Sequence, residues 1–350
     1  MTRSNAILPD VTHAIGDTPL VAMDRLTAQL GLKGRILAKL DLLLPGFSKK
    51  DRAAKAILDA ARADGSLQPG QTVVELTSGN MGTGLAICCG ILGHPFVAVM
   101  SAGNSRERAR MMAALGAEVV LVPQAPGGVP GQVTGADLAL VEAEARRITV
   151  ARGAFRADQF GHPGNPAAHA TGTAAELWTQ SGGTITAFCD FAGSGGTLGG
   201  VARALAPKGV RCYAVEPAGA EALAGGDISH PDHPVQGGGY LMAELAHLAG
   251  APLAGYLRVT GDAARTHAQL MARREGIFGG YSAGANLAAA VQLLQGPEAG
   301  GTVAFACLRQ RAQVPIDQPL GRGGLTPHPQ SSTTLGSVRQ TRLEAGWSVS

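Results

Sequence analysis

An alternation of two periodicities constrains this chain more than any other feature. Strand-like runs at Ile36–Leu40, Thr72–Leu76, Phe96–Met100, Glu118–Val122, Thr186–Phe191, Arg211–Val215 and Thr302–Ala306 take turns with helical patterns. The helical patterns cover Asp51–Asp64, Gly82–Leu92, Ser105–Leu115, Asp137–Arg152, Pro166–Gln180, Thr197–Ala206, Asp262–Glu275 and Ala283–Leu294. Strand, helix and strand in succession form a crossover that leaves the two strands parallel, with helices covering the faces of the sheet. The fold class is α/β. Several of the helical patterns stop at a glycine, as at Gly65, Gly93 and Gly116, where a left-handed residue ends a helix without strain.

Composition narrows the function classes. A length of 350 residues accommodates two lobes with separate cores, and 45% hydrophobic with 16% charged residues describes a soluble globular chain. A net charge of +3, with no basic run interleaved with aromatics, argues against nucleic acid as a partner. The opening MTRSNAILPDVTHAIGD has no apolar core of signal-peptide length, and the most apolar later stretch is interrupted by Gly90, Gly93, His94 and Pro95. A cytoplasmic protein without a membrane segment is expected. Cys88, Cys89, Cys189, Cys212 and Cys307 show no metal-ligand spacing and read as buried reduced thiols, with no metal site. The 50 glycines are about twice the usual share and concentrate in loops where a backbone approaches a ligand.

Two junctions between strand and helix carry chemistry. Phe47 to Arg52 read FSKKDR, directly before the helical pattern Ala53, Ala54, Ile57, Leu58, Ala61. Lys50 therefore falls in a first helical turn, whose positive dipole end disfavours an ammonium and lowers its pKa. Lys49 beside it reads as a solvated charge at a helix start. The turn Gly193-Ser194-Gly195-Gly196-Thr197 follows the apolar strand Ala187–Phe191 and opens a helix, so backbone N–H groups and the dipole converge on a phosphate-sized spot. Such a turn also serves dinucleotides or tight packing, but its place in mid-chain counts against a dinucleotide. Thr77-Ser78-Gly79-Asn80 caps a further helix and presents a second anion-binding terminus. A reactive lysine with a phosphate turn points to pyridoxal 5'-phosphate, whose aldehyde needs one deprotonated amine.

FSKKDR, TSGN, the glycine turn 193–197 and Gly280-Tyr281-Ser282-Ala283-Gly284, in this order, resemble the motif set of the cysteine synthase and cystathionine β-synthase family. The likeness runs from about Gly16-Asp17-Thr18-Pro19-Leu20 to Cys307. It implies a two-lobed fold-type II pyridoxal enzyme, similar to the tryptophan synthase β chain, with each lobe a twisted and mostly parallel sheet flanked by helices. Residues 47–154 would form a small movable lobe that grips substrate, and 1–46 with 155–307 the larger lobe that holds the cofactor phosphate. A homodimer is expected by the same resemblance.

The resemblance also assigns roles. Lys50, rather than Lys49, would form the Schiff base, and Gly193, Ser194, Gly195, Gly196 and Thr197 would hold the phosphate. Asn80 would bond the cofactor's ring hydroxyl, and Thr77, Ser78, Gly79, Asn80 and Met81 would form the loop around the substrate carboxylate, helped by Gln159. Ser282 would face the pyridine nitrogen, where a neutral hydroxyl makes a weaker electron sink than an aspartate and suits elimination at Cβ. Taken alone, Ser282 reads as a helix cap. The chain departs from the family at Met81, where threonine is usual, and at His162 within Gly161-His162-Pro163-Gly164-Asn165. His162 fits either a substrate contact or a loop-packing residue.

The resulting expectation is β-replacement on an activated serine, with O-acetylserine and sulfide giving cysteine and acetate. Asp51-Arg52-Ala53, in place of the Arg-Gly-Ala of the dehydratase branch, favours it. Alternatives are cystathionine synthesis, a β-eliminating lyase on another β-substituted alanine, and a non-catalytic cofactor-binding protein on the same scaffold. After Cys307 the likeness stops. Residues 308–350 are rich in Gln, Arg, Pro, Ser and Thr and read as a disordered tail. One back-translation of Leu308–Pro319 reads Cys-Asp-Ser-Gly-Leu-Lys-Tyr-Leu-Ser-Thr-Asn in the next frame, similar to the family's closing segment, so a frameshift is a further expectation.

Overall fold

The structure, a computed structural model, describes residues 6–77, 79–127, 133–230, 233, 235, 238, 239 and 241–309. Expectations for Ser78 and for residues 310–350 lie outside the described residues.

The chain runs β1 (Leu20–Ala22), α1 (Asp24–Gln29), β2 (Arg35–Lys39), α2 (Lys50–Ala63), β3 (Val73–Leu76) and α3 (Asn80–Leu92). There follow β4 (Phe96–Ser101), α4 (Arg106–Ala114), β5 (Glu118–Val122), α5 (Gly135–Arg152) and β6 (Phe155–Arg156). Next come α6 (Gly164–Ala168), α7 (Ala174–Gln180), β7 (Ala187–Phe191), α8 (Gly196–Leu205) and β8 (Arg211–Pro217). The last elements are β9 (Leu253–Val259), α9 (Gly261–Glu275), α10 (Tyr281–Gln295) and β10 (Thr302–Ala306).

Among the described residues two sheets result, one of six strands in the order β1-β2-β10-β7-β8-β9 and one of four in the order β5-β4-β3-β6. Every pairing is parallel except β1 with β2. From β7 the chain winds outward through β8 and β9, then returns through α9 and α10 to insert β10 on the other side of β7. That reversal opens a crevice at the carboxyl ends of β7 and β10, the place where open parallel sheets bind ligands.

The apolar patterns explain the layers. Ala53, Ala54, Ile57, Leu58 and Ala61 of α2 are buried against α3 and the four-stranded sheet. α10 is buried along nearly its whole length, consistent with its small residues Ala283, Gly284, Ala285, Ala288, Ala289 and Ala290 packing into the six-stranded sheet. Thr134 and Asp137 form a reciprocal capping box that starts α5.

Three strands escaped the sequence reading. β1 and β6 are too short to show a period, and β9 alternates half-buried with exposed residues around Gly255. The single helix expected over 166–180 is two helices joined by a π turn at His169–Thr173. The turn directs His169 inward, with Nδ1 2.9 Å from Thr173 Oγ1 and Nε2 3.2 Å from Thr197 Oγ1. All five cysteines are buried and free, in α3, β7, β8 and just after β10. Among the described residues no helix is long and apolar enough to cross a membrane.

Candidate active site

Most of the residues singled out above lie at the carboxyl ends of parallel strands, and one cleft collects them. It is lined by Lys50, Thr77, Asn80, Met81, Gln159, the 193–197 turn and Ser282, together with Lys49, Arg108, Asp190, Asn286 and Leu308. Gly79 borders it, and a Cβ there would meet Arg108 Cδ at 2.6 Å.

Lys50 opens α2, and its amine donates to Ser194 Oγ at 3.1 Å and to Gln159 Oε1 at 3.2 Å. Removal of water from around the amine, with the neighbouring Lys49 charge, brings its pKa down to about 8. The expected direction holds, with desolvation as the main cause. Behind the helix start, Arg52 forms a fork to Glu176 at 2.5 and 2.8 Å and reaches Asp41 and Thr18 at 3.0 Å. Lys39 donates to Thr18 O at 2.6 Å and pairs with Glu176 at 2.6 Å. This buried cluster ties the 16–20 segment to the Asp51-Arg52 segment, which explains physically why both motifs belong to one set.

Lys49 corrects the sequence reading. It is buried rather than solvated, and its amine lies 2.6 Å from Asp190 Oδ1 while also contacting Oδ2. Helix α2 begins one residue later, so the two side chains leave the backbone in different directions.

The glycine turn has the shape of an anion cup. Gly195 has φ of 81°, a left-handed conformation suited to glycine, and a Cβ on Gly196 would meet Asn165 Oδ1 at 2.1 Å. α8 starts at Gly196, leaving the N–H groups of its first turn free of intrahelical partners. Asn165 braces the cup from α6, donating to Ser194 Oγ at 3.0 Å and to Gln159 O at 2.7 Å. Opposite, Thr77 Oγ1 accepts from Gly79 N at 3.1 Å and Gly82 N at 2.9 Å, shaping the start of α3. Gln159 Nε2 donates to Leu76 O at 3.2 Å.

Ser282 is not a cap. α10 is capped at Gly280, and among the described residues the buried Ser282 Oγ has no hydrogen-bond partner. An orphaned hydroxyl aimed into a cleft is costly unless a bound group answers it. A low-pKa amine, an anion cup and this hydroxyl in one cleft fit a phosphorylated aldehyde with a ring heteroatom. His162 lies away from the cleft, its Nδ1 3.0 Å from Gly164 N and its ring edge-on to Phe155, so it packs the loop.

The sequence reading missed Asn165, Arg108, Asp190 and Asn286. Asp190 left one signal, an acid within the otherwise apolar strand AFCDF. Asn286 caps the polar needs of the sheet interior, accepting from Phe191 N at 2.6 Å and donating to Ala306 O at 3.0 Å.

Comparison with known proteins agrees with this geometry. The chain is 36% identical over 310 residues to cysteine synthase 3 of Caenorhabditis elegans, covering 88% of each chain. The crystal structure of O-acetyl serine sulfhydrylase isoform 3 from Entamoeba histolytica superposes with a TM-score of 0.79 at 30% identity, over 88% of this chain and 90% of that one. O-ureido-L-serine synthase superposes with a TM-score of 0.77 at 32% identity, over 87% and 92%. The profile described as pyridoxal-phosphate dependent enzyme matches residues 11–307, nearly the whole described chain. With the sheet order, the cleft and these likenesses in agreement, the chain belongs to the pyridoxal-phosphate-dependent enzyme family, in its fold-type II branch.

Proposed function

We propose that this protein catalyses β-replacement on an activated serine, as a cysteine synthase that converts O-acetylserine and sulfide to cysteine and acetate. The observation that carries the reading is the hydrogen bond from Lys50 Nζ to Ser194 Oγ, which sets a reactive amine against the glycine cup. The names of the similar proteins, cysteine synthase and O-acetyl serine sulfhydrylase, support the substrate pair.

Pyridoxal phosphate, when bound, supplies an electron sink for the carbanion at Cα. Gly193 to Thr197 and the first turn of α8 would hold its phosphate, Asn80 its ring hydroxyl and Ser282 its ring nitrogen. Thr77, Gly79, Asn80 and Met81 at the start of α3, with Gln159, hold the substrate carboxylate. The helix terminus favours that anion. Lys50, free as the amine, takes the Cα proton as general base. The bond from Cβ to the acetate oxygen breaks with its electron pair leaving on acetate, the carbon–sulfur bond to sulfide forms at Cβ, and Lys50 returns the proton to Cα. Met81 and Leu308 add apolar wall that excludes water. Closure of residues 47–154 on the substrate completes the grip.

The test is a cofactor spectrum and product assay on the purified full-length chain. The visible cofactor band and the formation of cysteine from O-acetylserine and sulfide are expected, both lost in Lys50→Ala. A variant that retains the band and turnover would refute the role given to Lys50. Wild-type protein that binds cofactor but converts no β-substituted alanine would leave only a binding protein.

A further inference from the structure

We propose that Lys49 and Asp190 are positioning residues, forming a buried ion pair in the cleft wall that sets the ionisation of the Lys50 amine and with it the pH range in which Lys50 works. The inference rests on the reading of Lys50 as the reactive amine.

Three observations point to it. Adjacent lysines both line the cleft, yet only Lys50 reaches the glycine cup and Gln159, while Lys49 turns to the strand that leads into the cup. Asp190 is held in place, because its Oδ1 also accepts from Asn286 Nδ2 at 3.2 Å, and so it is not free to swing to Lys50. Both partners are buried, at 7% and 2% exposure, where charges act on neighbours with little screening. A buried pair stabilises a fold only weakly against an apolar alternative. Its position beside the reactive amine gives it a different use.

The electrostatics give the direction. Burial is the largest cause lowering the Lys50 pKa, the Lys49 charge lowers it further, and Asp190 and Glu75 oppose them. Further titratable and charged groups surround the site. Glu75 of β3 is buried, its pKa raised to about 7 by burial, and it faces Arg156 at 3.7 Å. Arg108 of α4 lines the cleft, and Asp51 sits next to Lys50 with its pKa raised to about 7 by burial. His169 in the π turn and His247 near Gln159 O are both pushed down by burial, so neither adds a charge at neutral pH.

Neutralising either partner should therefore move Lys50 in opposite senses. Lys49→Met leaves Asp190 to favour the ammonium, and the acid limb of kcat should move up by roughly 1 pH unit, the lower end of what a neighbouring charge does. Asp190→Asn leaves Lys49 unopposed, and the limb should move down. In the double variant the limb should lie between wild type and Lys49→Met, because the Lys49 effect is the larger of the two.

The experiment uses the full-length protein with two readouts. One is the pH profile of kcat in the loaded enzyme. The other is the pH dependence of Lys50 acylation in the cofactor-free protein, read by peptide mass spectrometry. The order Asp190→Asn, wild type, double variant, Lys49→Met in both readouts supports the proposal. Shifts of the same sign, or none, overturn it as a structural pair only. Should a single variant fail to fold, the double variant decides, since a midpoint at or below that of wild type refutes the idea. A Lys50→Ala protein that keeps its cofactor band would sink the reading of Lys50 instead, while the acylation order still tests the pair.

Discussion

Lys50 Nζ donates a 3.1 Å hydrogen bond to Ser194 Oγ, joining the first turn of α2 to the glycine turn that follows β7. The amine thereby lies at the seam of two elements 144 residues apart in sequence. Its pKa of about 8, set by burial and by Lys49, means that near neutral pH most of the free amine carries a proton. Lys50 is a free amine only once substrate has released it from the cofactor, and proton abstraction needs its neutral form, so kcat should rise about tenfold per pH unit up to a midpoint near 8 and then level off. A pH-rate profile checks this. A plateau extending down to pH 6 would contradict it.

Ser282 Oγ is a buried hydroxyl without a partner among the described residues, and this predicts effects of opposite sign for two states. In the cofactor-free protein Ser282→Ala should be stabilising by about 1 kcal/mol, since an unsatisfied polar atom is removed. In the loaded protein the same change should weaken cofactor retention by roughly fivefold, the value of one ordinary hydrogen bond. Paired thermal melts and cofactor titrations provide the comparison. Loss of stability in both states would mean that the hydroxyl serves the fold.

Gly196 has no room for a side chain, because an added methyl would stand 2.1 Å from Asn165 Oδ1 and 2.4 Å from its Cγ. Gly196→Ala must displace Asn165, which braces both Ser194 and the Gln159 backbone. A cost of about 1–3 kcal/mol is expected, together with loss of cofactor on dialysis. Adding Asn165→Ala should recover part of the thermal stability but not the cofactor, because the brace on Ser194 is then missing. Equal cofactor binding by wild type and Gly196→Ala would count against the cup.

Asp51 follows Lys50 and is buried with its pKa raised to about 7, chiefly by burial, although the Gly46 N–H donates to it. The folded state thus holds a proton that the unfolded chain releases at its ordinary value of 3.8. The associated stability is complete below that ordinary value and is lost as pH rises through about 7. Asp51→Asn keeps an acceptor for Gly46 and removes the titration. Its advantage over wild type should be absent at pH 4 and grow to a few kcal/mol, on the order of 3, by pH 8. Denaturant unfolding at the two pH values measures the difference, and a constant difference would refute a titrating Asp51.

What was legible from sequence alone is local in origin. The strands Glu118–Val122 and Thr302–Ala306 match residue for residue, because a strand or helix period is written in neighbouring side chains. Lys50, Thr77 and the 193–197 turn stand at helix starts and glycine turns with their own local composition, and the ordered family resemblance singled them out as one site. What was decided only by tertiary structure concerns groups with no local signature. Lys49 reads like any charge at a helix start, and only the approach of Asp190, 141 residues later, shows it buried and paired. Asn165 and Asn286 acquire their roles from the backbones and hydroxyls they meet across the fold, and Ser282 changes from a cap to an orphaned donor once α10 is seen to be capped at Gly280. Burial sets the energy of a charge or a hydrogen bond, and burial is a property of the packed chain as a whole, so the ionisation of Lys50 became readable only when both sheets and their connecting helices were in place.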